Sequence, residues 1–345
     1  MSLVPTVRLP DDLAAALTRS LAATAPAGAQ VDRLIEQYRG ATPTASPVLR
    51  DAAAAAAYAA YRMPATYAAV RSALAALRAR TPGWTPAAHL DLGGGTGAAV
   101  WAVADTWPDG PASTVLDWSA AALALGGTLA AQAAAPAVRA AAWTRAPLGG
   151  APELPAADLV TVSYVLGELT PADRDALVDA AAAAATGTLL VVEPGTPEGY
   201  GRTLAARDRL AAAGWTVLAP CPHSGACPVT GTDWCHFAAR VPRTALHRQL
   251  KGGTLGYEDE KFSYAALACP GTEPGTPAPA RVVRHPQLRK GQVLMELCTR
   301  DDGLRRDTVA KRHGALYRQA RDADWGDAWP PQPDPDHEPD HEPED

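Results

Sequence analysis

The chain has 345 residues, 47% of them hydrophobic and 20% charged, with a net charge of −6. That length suits about two domains at roughly 150 residues each, and the apolar content supports a sizeable core and excludes disorder throughout. Five cysteines are too few for a disulfide-stapled secreted protein.

Residues 1–80 read as helical. Apolar side chains recur near every 3.6 residues over 13–21 and 58–77, and alanine runs such as 51–60 favour helix because alanine loses no side-chain entropy on entering one. No window is a membrane span, since alanine is weakly apolar and Arg62 and Pro64 interrupt the longest run. The first residues carry no signal-peptide pattern, and Asp11 and Asp12 are unlike an acid-poor transit peptide. A cytoplasmic protein is expected.

Residues 85–200 alternate short apolar runs with alanine-rich helical stretches, the βαβ signature of a parallel sheet. Strands are expected at 88–92, 113–116, 159–163 and 188–192. Between the first strand and the next helix lies His89-Leu-Asp-Leu-Gly-Gly-Gly-Thr-Gly-Ala98. Glycines there allow a sharp turn that brings backbone N–H groups close to a ligand at a helix N-terminus. Gly93, Gly95 and Ala98 also satisfy a dinucleotide pattern. Asp91, two residues before Gly93, gives instead a spacing that resembles the first motif of class I S-adenosylmethionine methyltransferases.

Asp117 closes the second strand, where a carboxylate can accept both ribose hydroxyls of a bound nucleotide; the alternative is a simple helix N-cap. The segment from Ser163 to Leu169 and the run Glu193-Pro-Gly-Thr196 fall at the expected rim of such a cleft. Neither supplies the Asn/Asp-Pro-Pro-Tyr/Phe signature that holds an exocyclic amine. Glu168 is a candidate base or a loop residue, and no catalytic residue is assigned.

Residues 221–269 differ from what precedes them. Cys221, Cys227 and Cys235 form a C-x5-C-x7-C array, with Cys269 and Cys298 further on. Structural zinc sites usually begin with cysteines two to four residues apart. These wider gaps suit a bulkier cluster whose thiolates approach different irons. The fourth ligand is open among Cys298, Cys269, His223 and His236. Further apolar runs at 215–219, 262–268, 281–284 and 293–297 continue the sheet region, and a basic helix and a tail are expected after them.

Charge is placed unevenly. Residues 322–345 hold ten acids and no Lys or Arg, and without them the net charge changes from −6 to +4. Residues 281–321 carry eleven Lys and Arg against four acids. Arg240, Arg243, His247, Arg248 and Lys251 cluster just before, although Glu258, Asp259 and Glu260 adjoin them. Such a surface suits phosphate contacts and an RNA partner.

Several runs together resemble the methyltransferase-like family of small-ribosomal-subunit assembly factors. They are Cys221-Pro-His-x3-Cys227-Pro, Trp234-Cys-His-Phe237, and the whole run from Arg243 to Tyr264. Arg281-Val-Val-Arg284, Gly291 to Cys298, Trp325-Gly-Asp-Ala-Trp329, Tyr61 to Tyr67 and Tyr164 to Glu168 extend the resemblance over roughly residues 55–330. Mitochondrial members of that family associate with the small subunit, and bacterial members are known.

The resemblance implies an α/β, Rossmann-like S-adenosylmethionine-binding core with an N-terminal helical region and a cysteine-containing C-terminal extension. It also implies a [4Fe-4S] site on Cys221, Cys227, Cys235 and Cys298, with Cys269 a bystander and zinc as the alternative metal. Asp91, Gly93, Gly95, Gly97 and Asp117 would hold the cofactor; the first motif reads Gly-Gly-Gly-Thr-Gly where many members read Gly-Ala-Gly-Pro-Gly, which keeps those glycines. The expected organisation is a helical region (1–80), a cofactor-binding core (81–220), a cysteine-cluster and basic RNA-binding region completing the sheet (221–329), and a disordered acidic tail (330–345). The leading functional expectation is a methyltransferase-like protein acting on the small ribosomal subunit and its rRNA. A non-catalytic iron–sulfur assembly factor and a small-molecule methyltransferase with a structural zinc are the alternatives.

Overall fold

Two acids open the first helix, α1 (Asp11–Ala22), where they complement its N-terminal dipole. Asp51 caps α2 (Ala52–Tyr61) by accepting the Ala54 N–H at 2.8 Å. Helix α2 gives way to α3 (Met63–Arg78) at Arg62, with Pro64 in the first turn of α3, where its missing N–H costs nothing. The computed structural model describes residues 4–22, 48–150, 153–243, 248 and 255–331. His247, Lys251 and the acidic tail beyond 331 lie outside the described residues.

The expected parallel sheet is present. Strands β1 (Ala88–Leu92), β2 (Ala112–Asp117), β3 (Ala142–Arg145), β4 (Ala157–Ser163) and β5 (Ala185–Pro194) run parallel in the order β3-β2-β1-β4-β5. Helices α4 (Ala98–Thr106), α5 (Ala120–Ala130), α6 (Pro136–Arg139), α7 (Pro171–Ala184) and α8 (Pro197–Ala212) make the crossovers. The order reverses between β1 and β4, the switch point at which open α/β sheets bind ligands outside the carboxyl ends of their strands. β3 was not expected, because Ala-Trp-Thr-Arg is short and lies mostly exposed at the sheet edge.

Beyond β5 the sheet departs from parallel. The long strand β8 (Tyr257–Ala268) pairs antiparallel with β5, and its far side is shared by two strands. β6 (Thr216–Ala219) pairs with the end of β8, and β7 (Phe237–Pro242) pairs with its first half, from Tyr257 to Phe262. The cysteine-bearing stretch 220–236 therefore leaves and re-enters the sheet along one edge of β8. The N-terminal segment adds to this edge, with Val7 N–H donating to Arg240 O and Arg240 N–H to Pro5 O, both at 2.8 Å.

Two apolar layers sandwich the sheet. One packs α1, α3, α4 and α5 against a face that includes Val115, Leu190 and Tyr264. The other packs α7 and α8 against Leu90, Val160, Val191 and Leu267.

A second, five-stranded sheet follows: β9 (Ala280–Val282), β10 (Gln287–Arg289), β11 (Gln292–Thr299), β12 (Gly303–Ala310) and β13 (Ala328–Trp329). The expectation of a basic helix is corrected over 303–310, which is strand β12; the helical part that follows is a 3-10 turn at Lys311–His313 and α9 (Ala315–Asp322). The reason is cross-strand pairing. β12 registers residue for residue with β11, and Arg306 meets Glu296 across the pair at 3.0 Å.

Candidate functional site

Glycine makes a backbone cradle at the carboxyl end of β1. Gly93, Gly95 and Gly97 all take positive φ (70°, 53° and 84°), which L side chains disfavour. Gly97 caps α4, and a Cβ there would collide with the Trp143 ring, as would one on Gly126 of α5. The indole of Trp143 thus lies against two helices that only glycine lets it approach.

Asp117 sits at the end of β2 and is nearly buried. Its Oδ2 accepts the Gly95 N–H at 2.9 Å and its Oδ1 the Ser119 N–H at 2.7 Å. Ser119, not Asp117, caps α5, accepting from Ala122 N–H, so the N-cap alternative falls. Burial raises the Asp117 pKa against the pull of those N–H donors.

Asp91 lies under the cradle with no exposure. Its Oδ1 accepts the Thr161 hydroxyl at 2.7 Å, while Oδ2 is buried with no hydrogen-bond partner. Burial pushes its carboxyl up to about 7. Thr161 spends its only proton on Asp91, so its contact with His89 Nε2 at 2.9 Å requires that nitrogen to donate; Nδ1 then accepts from Ser113 Oγ at 3.0 Å. Burial holds His89 neutral, with its pKa lowered to about 3. A chain of buried polar groups therefore orients Asp91, and all of its members lie on β1, β2 and β4.

At the rim, Tyr164 takes a φ of 57°, the single described non-glycine residue with positive φ. Its hydroxyl donates to Glu260 Oε1 at 2.8 Å, and Arg62 grips the same carboxylate through two N–H bonds at 3.1 and 2.8 Å. This links the α2–α3 break, the end of β4 and β8. The sequence marked Tyr61-Arg-Met-Pro and Tyr164 only as runs, without signalling that Glu260 joins them. Glu193 is fully buried and engaged by Arg202 at 2.6 Å and by Leu166 N–H at 3.1 Å, while Glu168 lies in a single 3-10 turn.

Cys221, Cys227 and Cys235 of the β6–β7 connection, and Cys298 of β11, line one partly open cavity of about 30 Å³, room for about two waters. Cys298 arrives through the second sheet, registered beside Arg281 of β9. Burial and then the neighbouring thiols push Cys298 up to about 12 and Cys235 higher. Tyr200 and Cys227 are 3.3 Å apart, and His223 Nε2 lies 3.8 Å from Cys298 Sγ. Cys269 is absent from this lining, although it packs against the same apolar layer as Cys221. His236 is stacked on Trp234 and edge-on to Trp325. Among the described residues, no three Cys, His, Asp or Glu groups close around a point that would hold a single metal ion. The geometry thus gathers the four thiols without itself displaying metal coordination.

The second sheet and α9 carry exposed Arg289, Lys290, Lys311, Arg312, Arg318 and Arg321. Arg305 and Arg306 are engaged by Asp302, Asp307 and Glu296. Arg240 and Arg243, on β7 and just after it, pair with Asp259 and Glu258, so that part of the basic cluster is offset by its own acids.

A parallel sheet continued by an antiparallel β8, with a glycine cradle after β1 and an acid after β2, defines an α/β Rossmann-like, class I methyltransferase fold. A family model described as "Mitochondrial small ribosomal subunit Rsm22" matches residues 52–330, and the chain belongs to that family. The human "Ribosome assembly protein METTL17, mitochondrial" is 31% identical over 292 residues, covering 79% of this chain and 62% of that protein. The Rsm22-cox11 tandem proteins 1 and 2, mitochondrial, of Schizosaccharomyces pombe are each 26% identical over 186 residues, covering 42% of this chain and 24% of theirs. The chain thus spans less than two thirds of the length of these relatives.

Among solved structures, an O-methyltransferase family protein from Burkholderia thailandensis aligns with TM-score 0.43 and 16% identity over 71% of this chain and 69% of its own. The glycopeptide N-methyltransferase MtfA aligns with TM-score 0.39 and 15% identity over 59% of this chain and 92% of its own.

These matches correct the expectation of a cytoplasmic protein. The family description and the relatives' names are all mitochondrial. Two acids near residue 11 bear only on the region they occupy and do not set a compartment. No helix among the described residues is long and apolar enough to cross a membrane.

Proposed function

We propose that this chain is a small-ribosomal-subunit assembly protein that binds S-adenosylmethionine in the glycine cradle, holds a [4Fe-4S] centre on four cysteines and contacts rRNA through its basic second sheet. The observation that carries the reading is the family match over residues 52–330, which takes in the cradle, the four-thiol cavity and the basic strands together.

The cradle residues fit the cofactor. Each Asp117 oxygen accepts one N–H and keeps lone-pair capacity for a ribose hydroxyl. The unpartnered Asp91 Oδ2 offers a buried anionic acceptor to the ammonium group of the methionine part. Gly93, Gly95 and Gly97 leave room for backbone to approach the ligand. S-adenosylmethionine supplies, when bound, an electrophilic methyl group.

One observation favours a non-catalytic version of this role. The acids and phenol on β4, β5 and β8 at the rim are already committed: Tyr164 to Glu260, Glu260 to Arg62, and Glu193 to Arg202 and Leu166 N–H. Methyl incorporation into small-subunit RNA by the purified protein, lost on Asp91→Ala, would establish catalysis. Cofactor binding without transfer to any assembly intermediate would establish the non-catalytic role.

For the metal, the donor set is four thiols with no carboxylate in the cavity lining. Four cysteines with wide sequence gaps suit a multinuclear centre, whose thiolates bind separate irons, better than a zinc knuckle built on closely spaced cysteines. Cys221, Cys227, Cys235 and Cys298 would hold it, and it would tie the β6–β7 connection to β11. Anaerobically purified protein should be brown, with visible absorbance that bleaches on reduction. Cys298→Ser should lower its iron content, and Cys269→Ser should not. Colourless protein with stoichiometric zinc from an iron-replete preparation would overturn the cluster.

A further inference from the structure

Two arginines line the four-thiol cavity, Arg207 from α8 and Arg281 from β9, and both are almost entirely buried, at 3% and 4% exposure. Burying a guanidinium is costly unless charge and hydrogen bonds compensate it. Their hydrogen bonds follow one pattern. Arg207 Nη2 donates to His223 O at 2.9 Å and Gly225 O at 2.6 Å, both carbonyls of the loop between Cys221 and Cys227. Arg281 Nε donates to Pro220 O at 2.9 Å, the residue before Cys221, and its Nη1 to Gly326 O at 2.8 Å. Each arginine thus holds the backbone of the cysteine loop or its approach.

Each also keeps one donor in reserve. Arg207 Nε and Arg281 Nη2 are buried N–H groups with no partner. Buried side-chain donors are rarely left unmade, and two on one cavity wall call for an acceptor inside it. Charge points the same way. Carbonyls are dipoles rather than counter-ions, and the Asp208 carboxylate that pairs with Arg207 is half exposed. Asp327 stands near Arg281, but so does Arg80, whose pKa is lowered by burial and by the Arg281 charge. The cavity lining therefore includes two cations, each with one buried N–H donor that has no partner.

We propose that Arg207 and Arg281 are the charge-balancing donors of the four-cysteine centre, directing Arg207 Nε–H and Arg281 Nη2–H at its sulfurs. This rests on the iron–sulfur reading above. An oxidised [4Fe-4S] core carries two positive charges, so with four thiolates the whole is a dianion, and two guanidinium groups neutralise it. One-electron reduction adds a negative charge that these cations favour. Net charge and hydrogen bonds to sulfur are the levers by which a protein sets a cluster's reduction potential. The pair would then raise the potential and slow cluster loss, acting as positioning residues that do not ligate iron.

The test uses the full chain, purified and loaded anaerobically, with Arg207→Gln, Arg281→Gln and the corresponding Lys variants. Redox titration followed by visible absorbance and electron paramagnetic resonance reads the potential. Each Gln variant should be about tenfold harder to reduce, about 59 mV lower for one electron, while each Lys variant should stay closer to the parent. Loss of the cluster from a Gln variant but not from its Lys partner would equally support a requirement for charge. Equal potentials in the parent and Gln variants would overturn the proposal while leaving the cluster intact. Loss from both Gln and Lys variants would also overturn it, assigning the arginines to holding the loop carbonyls alone. Parent protein that never shows cluster absorbance would instead sink the iron–sulfur reading itself.

Discussion

Replacing Asp91 with Asn removes a charge from a carboxyl group that has no solvent contact and one unpartnered oxygen. Its pKa is raised by burial to about 7 from an ordinary 3.8, so the folded chain holds the proton more tightly than the unfolded chain does. Below the ordinary value both states are protonated and the group contributes nothing to the pH dependence. As pH rises, the unfolded chain ionises first and the folded state loses stability, until both are ionised above the folded value. At about 1.36 kcal/mol per unit, roughly three units give an order-of-magnitude cost of 4 kcal/mol by pH 8, of which somewhat more than half accrues between pH 5 and pH 8.

The Asn variant lacks this slope. Its amide N–H2, placed where Oδ2 has no partner, costs about 1–3 kcal/mol at every pH and cancels from a comparison between two pH values. His89, neutral in both proteins, cancels as well. Urea unfolding followed by tryptophan fluorescence should show the stability difference moving by roughly 2–3 kcal/mol in favour of Asn between pH 5 and pH 8. S-adenosylmethionine should stabilise the parent and not the variant. A difference that does not change with pH would refute the reasoning, because it would place Asp91 in contact with water or a counter-ion.

Glu260→Gln leaves Arg62 without its carboxylate and weakens the hold on Tyr164. With the Arg62 side chain about a quarter exposed, the cost after allowing for solvent screening should be about 2 kcal/mol in urea unfolding, and a change below about 0.5 kcal/mol would contradict the assignment. Gly126→Ala drives a Cβ into the Trp143 ring; it should destabilise by about 1–3 kcal/mol, and by clearly less in a Trp143→Ala background, as a double-mutant cycle would measure. Lys311→Ala and Arg312→Ala should each lower the slope of log affinity against log salt for small-subunit rRNA by about 0.7–0.9. An unchanged slope would remove those residues from the RNA surface.

Local spacing made much of the cofactor side legible. The β1–glycine–α4 turn is contiguous, and β1 falls at 88–92 as the apolar run predicts. The carboxylate after β2 likewise ends a run whose strand character is visible in its own residues. Interactions between distant segments were not legible. Nothing near Glu260 in the chain announces Arg62, 198 positions away, or Tyr164, 96 away. Residues 303–310 read as part of a basic helix because their charges suit an exposed surface of either kind. Pairing with β11 decides the matter, since hydrogen bonds and cross-strand ion pairs outweigh weak local preference.

The same division runs through the cysteines. The sequence by itself determined that three cysteines share one loop, because loop membership is a matter of chain adjacency. The family resemblance named Cys298 as the distant thiol, and the tertiary structure shows how it joins them: β9 and β11 carry Cys298 to the cavity, whose lining leaves out Cys269. Only the tertiary structure decided that Arg207 and Arg281 line that cavity with an unmade hydrogen bond each. Charge counting found an arginine-rich C-terminal region, but an excess of charge says nothing about burial. Whether a guanidinium meets water, a carboxylate or four sulfurs depends on which elements pack around it, and that is set by long-range contacts.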